Sequence, residues 1–402
     1  MKKKILLIAS YDSFLRSGIE IAKTISNADI EIKIRTTVSN QLSEDQLKNI
    51  FQNKVYNYSF FYLNDYKNID FNKYDIIILS AGNGFMKPFF EFYMSNKRIN
   101  RSKIITMSLF PGVIFGDINS IVARINSDIL LCNNKMDYEV SNKIKKVWKL
   151  NTTILHYGFP VIKDIKSNTK ENIYFFEQVK IPNTYVDRMF ILRKLIDYAF
   201  ENPNETIYIK PRVSKKEKTV HINKYPMEKL LRDYQKNAPI PSNLFFTYQS
   251  IDECFSKTKL AITMSSTVAF EAMYNNIPVA IISDFGIRNE FANKDFLDSG
   301  CMISFSDLNK IIPKVNQSWY NSMVDFPKDR VFLLNQCIDK LRTKHVITNT
   351  VNTINTETDE YIEYKNKHKK KTSKQQIIKF LKNPKFIINL MLSIIHHERR
   401  KN

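Results

Sequence analysis

A chain of 402 residues is too long for one ordinary hydrophobic core and implies two domains of roughly 150 to 200 residues each. Its 43% hydrophobic and 25% charged residues exclude global disorder. The formal net charge of +21 is unevenly spread: residues 365–402 carry twelve Lys/Arg against one Glu, so the body of the chain is only mildly basic, which argues against nucleic acid as its partner.

Taken in chain order, the start MKKKILLIAS has an apolar run too short for the core of a signal peptide and reads as a first parallel strand. A helix is expected at 13–26 and strands at 30–38 and 74–82. FMKPFFEFYMSN (85–96) reads as a helix, KIITMSL (103–109) as a strand, and SDILLCN (127–133) as another strand after a short helix. Continuous apolar runs between amphipathic segments predict parallel strands covered on both faces, ending near TTILHYGFPVI at 152–162. The polar stretch 164–172 reads as a linker, after which alternation restarts. Strands are expected in NIYFFEQ, TIYIKPR, NLFFTYQ, KLAITMS and IPVAIIS, and helices in the segments between them. The expected architecture is α/β, with Rossmann-like domains at 1–163 and 164–345 facing across a cleft, then a polar linker and basic helical tail at 346–402. Four scattered cysteines match no metal or disulfide spacing and read as reduced, buried thiols.

Ligands of open α/β sheets bind at the carboxyl ends of the strands. Three such ends in the second half carry unusual polar groups: Glu177 with Gln178, Lys210-Pro211-Arg212, and Ser265-Ser266-Thr267. Three hydroxyls before the helix VAFEAMYNN exceed what one cap requires, and with two cations on the same rim they suit a phosphate or diphosphate. His221, in TVHINKYP, lies on the loop that follows and is a further candidate for that pocket. In the first half, Asp12 and Asp117 stand just past strands, each as a cap or a base facing the cleft. No D-x-D and no His/Asp cluster has metal spacing, so metal-independent chemistry without a cofactor is expected.

SSTVAFEAMYNNIPVAI (265–281) resembles the C-terminal-domain signature of bacterial GT-B glycosyltransferases. The segments 282–300 and 209–226 resemble a poorly characterised bacterial glycosyltransferase subfamily, a likeness spanning most of 5–305 and sharp only in the second domain. The motif order is also similar to that of sialyltransferases and polysialyltransferases, with Lys210-Pro211 where that family has His-Pro. The resemblance implies that Ser265 and Ser266 hold the donor phosphate and that Glu271 meets the ribose hydroxyls. It places the acceptor on the first domain, with Asp12 or Asp117, then Glu177, as the base of an inverting transfer. The expected reaction moves a sugar, a nonulosonic acid from a CMP donor, to a cell-surface glycan or glycolipid. The alternatives are a UDP- or GDP-sugar or polyol-phosphate transferase, a nucleotide-sugar epimerase, and, outside enzymes, a basic nucleic-acid-binding protein.

The last segment pairs the run KNKHKKKT with about ten apolar residues after Pro384, too few to span a bilayer. Residues 365–402 are therefore expected to lie on an anionic membrane surface, holding a cytoplasmic enzyme peripherally at its inner face.

Overall fold

In the computed structural model of the chain, residues 2–36, 41–62, 64–166, 169–212 and 223–347 are described. The first lobe runs β1 (Lys3–Ser10), α1 (Tyr11–Thr24), β2 (Ala28–Thr36), α2 (Glu44–Phe51), β3 (Asn57–Tyr62), β4 (Ile76–Ser80), α3 (Asn83–Ser95), β5 (Ile105–Leu109), α4 (Ile118–Val122), β6 (Ile129–Cys132), α5 (Lys135–Val147) and β7 (Thr153–His156). Its strands form a parallel sheet in the order β3-β2-β1-β4-β5-β6-β7. Every side chain of β4 and β5 is buried, as continuous apolar runs require when helices cover both faces.

The second lobe runs β8 (Asn172–Phe176), α6 (Tyr185–Glu201), β9 (Thr206–Lys210), α7 (Met227–Gln235), β10 (Leu244–Phe246), α8 (Ile251–Phe255), β11 (Thr258–Thr263), α9 (Val268–Tyr274), β12 (Val279–Ile282), β13 (Met302–Ile303) and α10 (Gln317–Met323). Its sheet is also parallel, ordered β10-β9-β8-β11-β12-β13. The strand order reverses between β1 and β4 in one lobe and between β8 and β11 in the other, which opens a crevice at the carboxyl edge of each sheet. Both lobes lie within one compact unit.

Two local devices aim the first crevice. A Cβ at Gly18 would approach Leu7 Cδ1 to 2.5 Å and Ser80 Cβ to 3.2 Å, so the glycine lets α1 sit close on β1 and β4. Tyr11, at φ +65°, turns the chain sharply from β1 into α1 and leaves Asp12 in the first helical turn.

The chain leaves the first lobe beyond β7, at 157–166, and returns near 324–330. Arg330 ties these crossings together: its Nη1 donates to the Tyr157 and Phe159 carbonyls at 3.3 and 3.0 Å, and its guanidinium lies 4.1 Å from the Phe326 ring centroid. Gly158, at φ +82°, packs so tightly there that a Cβ would fall 2.3 Å from Phe326. Beyond the return, α11 (Arg330–Ile347) packs on the first lobe, with Leu334 and Ile338 in its core and Lys3 paired to Asp339 at 3.2 Å. Residues 330–345, expected with the second domain, therefore join the first lobe. No local pattern in their sequence indicates which lobe receives them.

Among the described residues no helix is long and apolar enough to cross a membrane. The four cysteines are free, and Cys132, Cys254 and Cys301 are buried. His221 and the tail 365–402 lie outside the described residues.

Candidate functional site

A cavity of about 620 Å³ separates the lobes. Its first-lobe wall is α1 with the end of α2, and its second-lobe wall is the ends of β8 and β9, the loop after β10, and the segment between β11 and α9. Each side chain discussed below owes its place to the parallel topology, which gathers the carboxyl ends of the strands on one edge.

At the second-lobe switch point, β8 and β11 are stitched by polar bonds beyond the ladder. Thr263 Oγ1 donates to the Phe176 carbonyl at 3.1 Å, and the Ser265 N–H donates to Gln178 Oε1 at 2.9 Å. The Ser265 hydroxyl donates to the Phe291 carbonyl at 2.5 Å, and Ser265 is not among the cavity-lining residues. Its expected contact with a donor phosphate is thus replaced by a loop-anchoring one. Ser266 and Thr267 do line the cavity. Ser266 Oγ accepts from Val268 N at 3.3 Å, and Thr267, at the N-cap position of α9, makes no side-chain cap bond. Lys210, Pro211 and Arg212 line the same wall at the end of β9.

Glu177 has a structural partner that the sequence did not reveal. Its carboxylate is ion-paired with Arg188 of α6, the two side chains being 4% and 1% exposed. Arg188 also donates to the carbonyls of Gln178 and Pro182 at 3.0 and 3.1 Å, and Asn223 Nδ2 donates to Glu177 Oε1 at 3.1 Å. Burial raises the Glu177 carboxyl above its ordinary range against the pull of Arg188. The pair fixes the turn after β8, so Glu177, expected as a third base, lines the cavity already ion-paired.

On the first-lobe wall, Asp12 Oδ1 accepts from Ser13 N at 2.7 Å, and Asp12 Oδ2 stands 3.9 Å from Arg212 Nη2 across the cleft. One helical turn on, Arg16 lines the cavity and acts electrostatically on Glu271 of α9. Burial pushes the Glu271 carboxyl up to about 7, and Arg16 opposes that rise. Asp117 is elsewhere: its Oδ2 accepts from Ser120 N at 2.9 Å as the N-cap of α4, outside the cavity lining. The commoner fate of an aspartate ahead of a short helix has taken it.

The buried Arg124 joins the carboxyl edges of β4 and β5, donating to the Ala81 and Leu109 carbonyls at 2.6 and 3.2 Å, and so supports the loop carrying Pro111 into the cavity. That loop meets the second lobe closely, since a Cβ at Gly112 would lie 3.0 Å from Thr267 Cγ2. Among the described residues no group of three or more His, Cys, Asp or Glu side chains could hold a metal ion. The sequence reading missed Arg16, although its spacing of four from Asp12 puts both on one helical face.

The model of a family described as "Putative glycosyltransferase (DUF6716)" matches residues 5–326. No curated protein matches the sequence. Among solved structures, the UDP-GlcNAc 2-epimerase of Methanocaldococcus jannaschii, in complex with UDP-GlcNAc and UDP, is similar at TM-score 0.54 and 12% identity, covering 86% of this chain and 100% of that one. The Neisseria meningitidis UDP-GlcNAc 2-epimerase bound to UDP-GlcNAc is similar at 0.51 and 11%, covering 84% and 100%. UGT89C1 of Arabidopsis thaliana, complexed with UDP, is similar at 0.51 and 10%, covering 86% and 100%. At these identities the likeness concerns the fold, which is GT-B.

Proposed function

The chain belongs to this glycosyltransferase family, and on that premise we propose that the cleft binds a nucleotide sugar, with its phosphates on the second lobe and its acceptor on the first. The observation that carries the reading is the convergence of Lys210, Arg212, Ser266 and Thr267 on one wall of a cavity of about 620 Å³, a size suited to such a ligand. Two cations on one strand end match the charge of a diphosphate, and a positioned cation stabilises the phosphate as it leaves. Asp12, opposite Arg212, takes the proton of the acceptor hydroxyl while the sugar carbon exchanges its bond to phosphate oxygen for one to the acceptor oxygen. Glu271 receives the ribose hydroxyls.

A nucleoside diphosphate donor is favoured over the CMP-linked nonulosonic acid suggested by the motif order. The CMP reading keeps Ser266 on the cavity wall, but Ser265 is spent on Phe291 and Lys210 stands in place of the histidine. Thermal shift against UDP, GDP, CDP and CMP separates the two readings. A ligand at a hundred times its Kd stabilises by about 2.7 kcal/mol, so one nucleoside diphosphate should raise Tm by several degrees and CMP should raise it far less. The largest shift with CMP would restore the nonulosonic donor, and no shift with any nucleotide would end the nucleotide-sugar reading.

Peripheral attachment through residues 365–402 belongs to the same proposal, motivated by their charge and apolar segment. Flotation with anionic vesicles should be strong in low salt and lost in high salt. Flotation that is absent in low salt, or indifferent to salt, would remove the electrostatic tail from the proposal.

A further inference from the structure

Near the carboxyl edge of the first sheet, Ser10, Ser17 and Ser108 each bury a hydroxyl that has no hydrogen-bond partner. An unpaired buried hydroxyl is costly, so each marks a bond that the scaffold leaves unmade. Ser10, which is fully buried, ends β1. Because side chains alternate along a strand, it points to the same face as Leu6 and Ile8, the face that α3 covers with Phe85, Met86 and Phe89. Its partner in register on β2 is Arg35. The half-buried Arg35 shares that face, with its guanidinium 5.6 Å from the ring centroid of Phe85 in the first turn of α3. Its Nε is buried and unpartnered, and no carboxylate among the described residues pairs with it.

The first turn of this 13-residue helix has no side-chain cap, since Gly82 holds the N-cap position, and no acidic residue. The backbone N–H groups of Asn83 and Gly84 have no acceptor among the described residues, and a Cβ at Gly82 or Gly84 would meet nothing within 4 Å. The Asn83 side chain is already taken by Arg124 and Ser120. Free N–H donors at the positive end of a helix, a guanidinium without a counter-ion and a hydroxyl without a partner share one need, an acceptor that carries negative charge. We propose that Ser10, Arg35 and the first turn of α3 form an oxyanion site for a phosphate or carboxylate group. None of these residues lines the cleft cavity, so the site is separate from the wall of Lys210 and Arg212. Ser10 stands two residues before Asp12, and the site anchors the charged group of an acceptor whose hydroxyl reaches that base. This acceptor role rests on the transferase reading; the oxyanion site does not.

The test titrates a full-length Lys210→Ala/Arg212→Ala variant, which lacks the second-lobe phosphate wall, with inorganic phosphate and separately with acetate at constant ionic strength, following Tm. Phosphate also stabilises proteins by exclusion from their surface, so only the saturable part of the shift is read. A saturable rise with at least one anion is expected, and the anion that gives it identifies the group. Adding Arg35→Gln should raise the half-saturating concentration about tenfold or more, since a hydrogen bond to a charged group is worth roughly ten- to a hundredfold. Adding Ser10→Ala should raise it several-fold without lowering the Tm measured free of anion, because that hydroxyl has no partner in the protein to lose. No saturable rise with either anion, or a rise that both substitutions leave unchanged, would overturn the proposal. Saturable binding in a protein that shows no thermal shift with any nucleotide would support the site and strike only its acceptor role.

Discussion

Replacing Lys210 and Arg212 together by alanine should lower turnover by about a hundred- to a thousandfold, the effect of removing preorganised charge from a leaving group. Both side chains line the second-lobe wall at the end of β9, and Arg212 is the one set 3.9 Å from Asp12. If they act on charge that develops in the transition state, kcat and kcat/KM fall together. A rise in donor KM with kcat intact would make them ground-state binding residues. Arg212→Lys should recover only part of the loss, because an ammonium cannot bridge two phosphate oxygens in the planar fork of a guanidinium. Full turnover in the double variant would sink the phosphate assignment. The variant should fold normally, since Arg212 is substantially exposed and an exposed ion pair contributes little to stability.

A loss of stability, in contrast, is expected from Arg188→Met. That change leaves the buried Glu177 carboxylate without its cation, and breaking such a pair costs about 3 to 5 kcal/mol. The sign of the pH dependence follows from the raised carboxyl of Glu177. A carboxyl whose folded pKa is raised favours the neutral form, so stability is retained at low pH and lost as pH climbs through that pKa. Removing Arg188 raises it further. Denaturant unfolding of the variant should therefore show a penalty that is largest at mildly alkaline pH and shrinks as the solution is acidified toward the ordinary carboxylate range. Adding Glu177→Gln should recover much of the loss at every pH. A penalty independent of pH, or a double variant as unstable as the single one, would show that Arg188 acts through its carbonyl contacts rather than through Glu177.

Much of the architecture was legible from hydrophobic runs, for a physical reason. Strands buried on both faces must be apolar throughout, so KILLIAS, YDIIILSAG, KIITMSL and KLAITMS announce β1, β4, β5 and β11 without any structure. Strand β3 did not announce itself: it is a sheet edge with tyrosines at 58 and 62 exposed, and its sequence NYSFFY matches neither a buried run nor a clean alternation. Helix α5 was equally hidden, its stretch KMDYEVSNKIKKV burying only Asp137 and Ser141. The return of α11 depended on contacts more than 300 residues apart in the chain, such as Lys3 with Asp339, which no local pattern encodes.

For the site, the sequence by itself indicated part of the cleft wall, because parallel topology sends every strand's carboxyl end to one edge. Lys210, Arg212, Ser266, Thr267, Glu271 and Asp12 lie there for that reason. Only the tertiary structure decided which polar groups remain available to a ligand and which the scaffold consumes. Ser265 and Ser266 are adjacent and chemically identical, yet the Phe291 carbonyl, 26 residues away, takes the hydroxyl of the first, while the second lines the cavity. Glu177 lines the cleft but is held by Arg188 from the next helix, and the orphaned hydroxyl of Ser17 is recognisable only where the packing around it is known. Hydrogen bonding saturates a group once its partner is in place, and partners supplied from distant parts of the chain are fixed by packing rather than by local sequence.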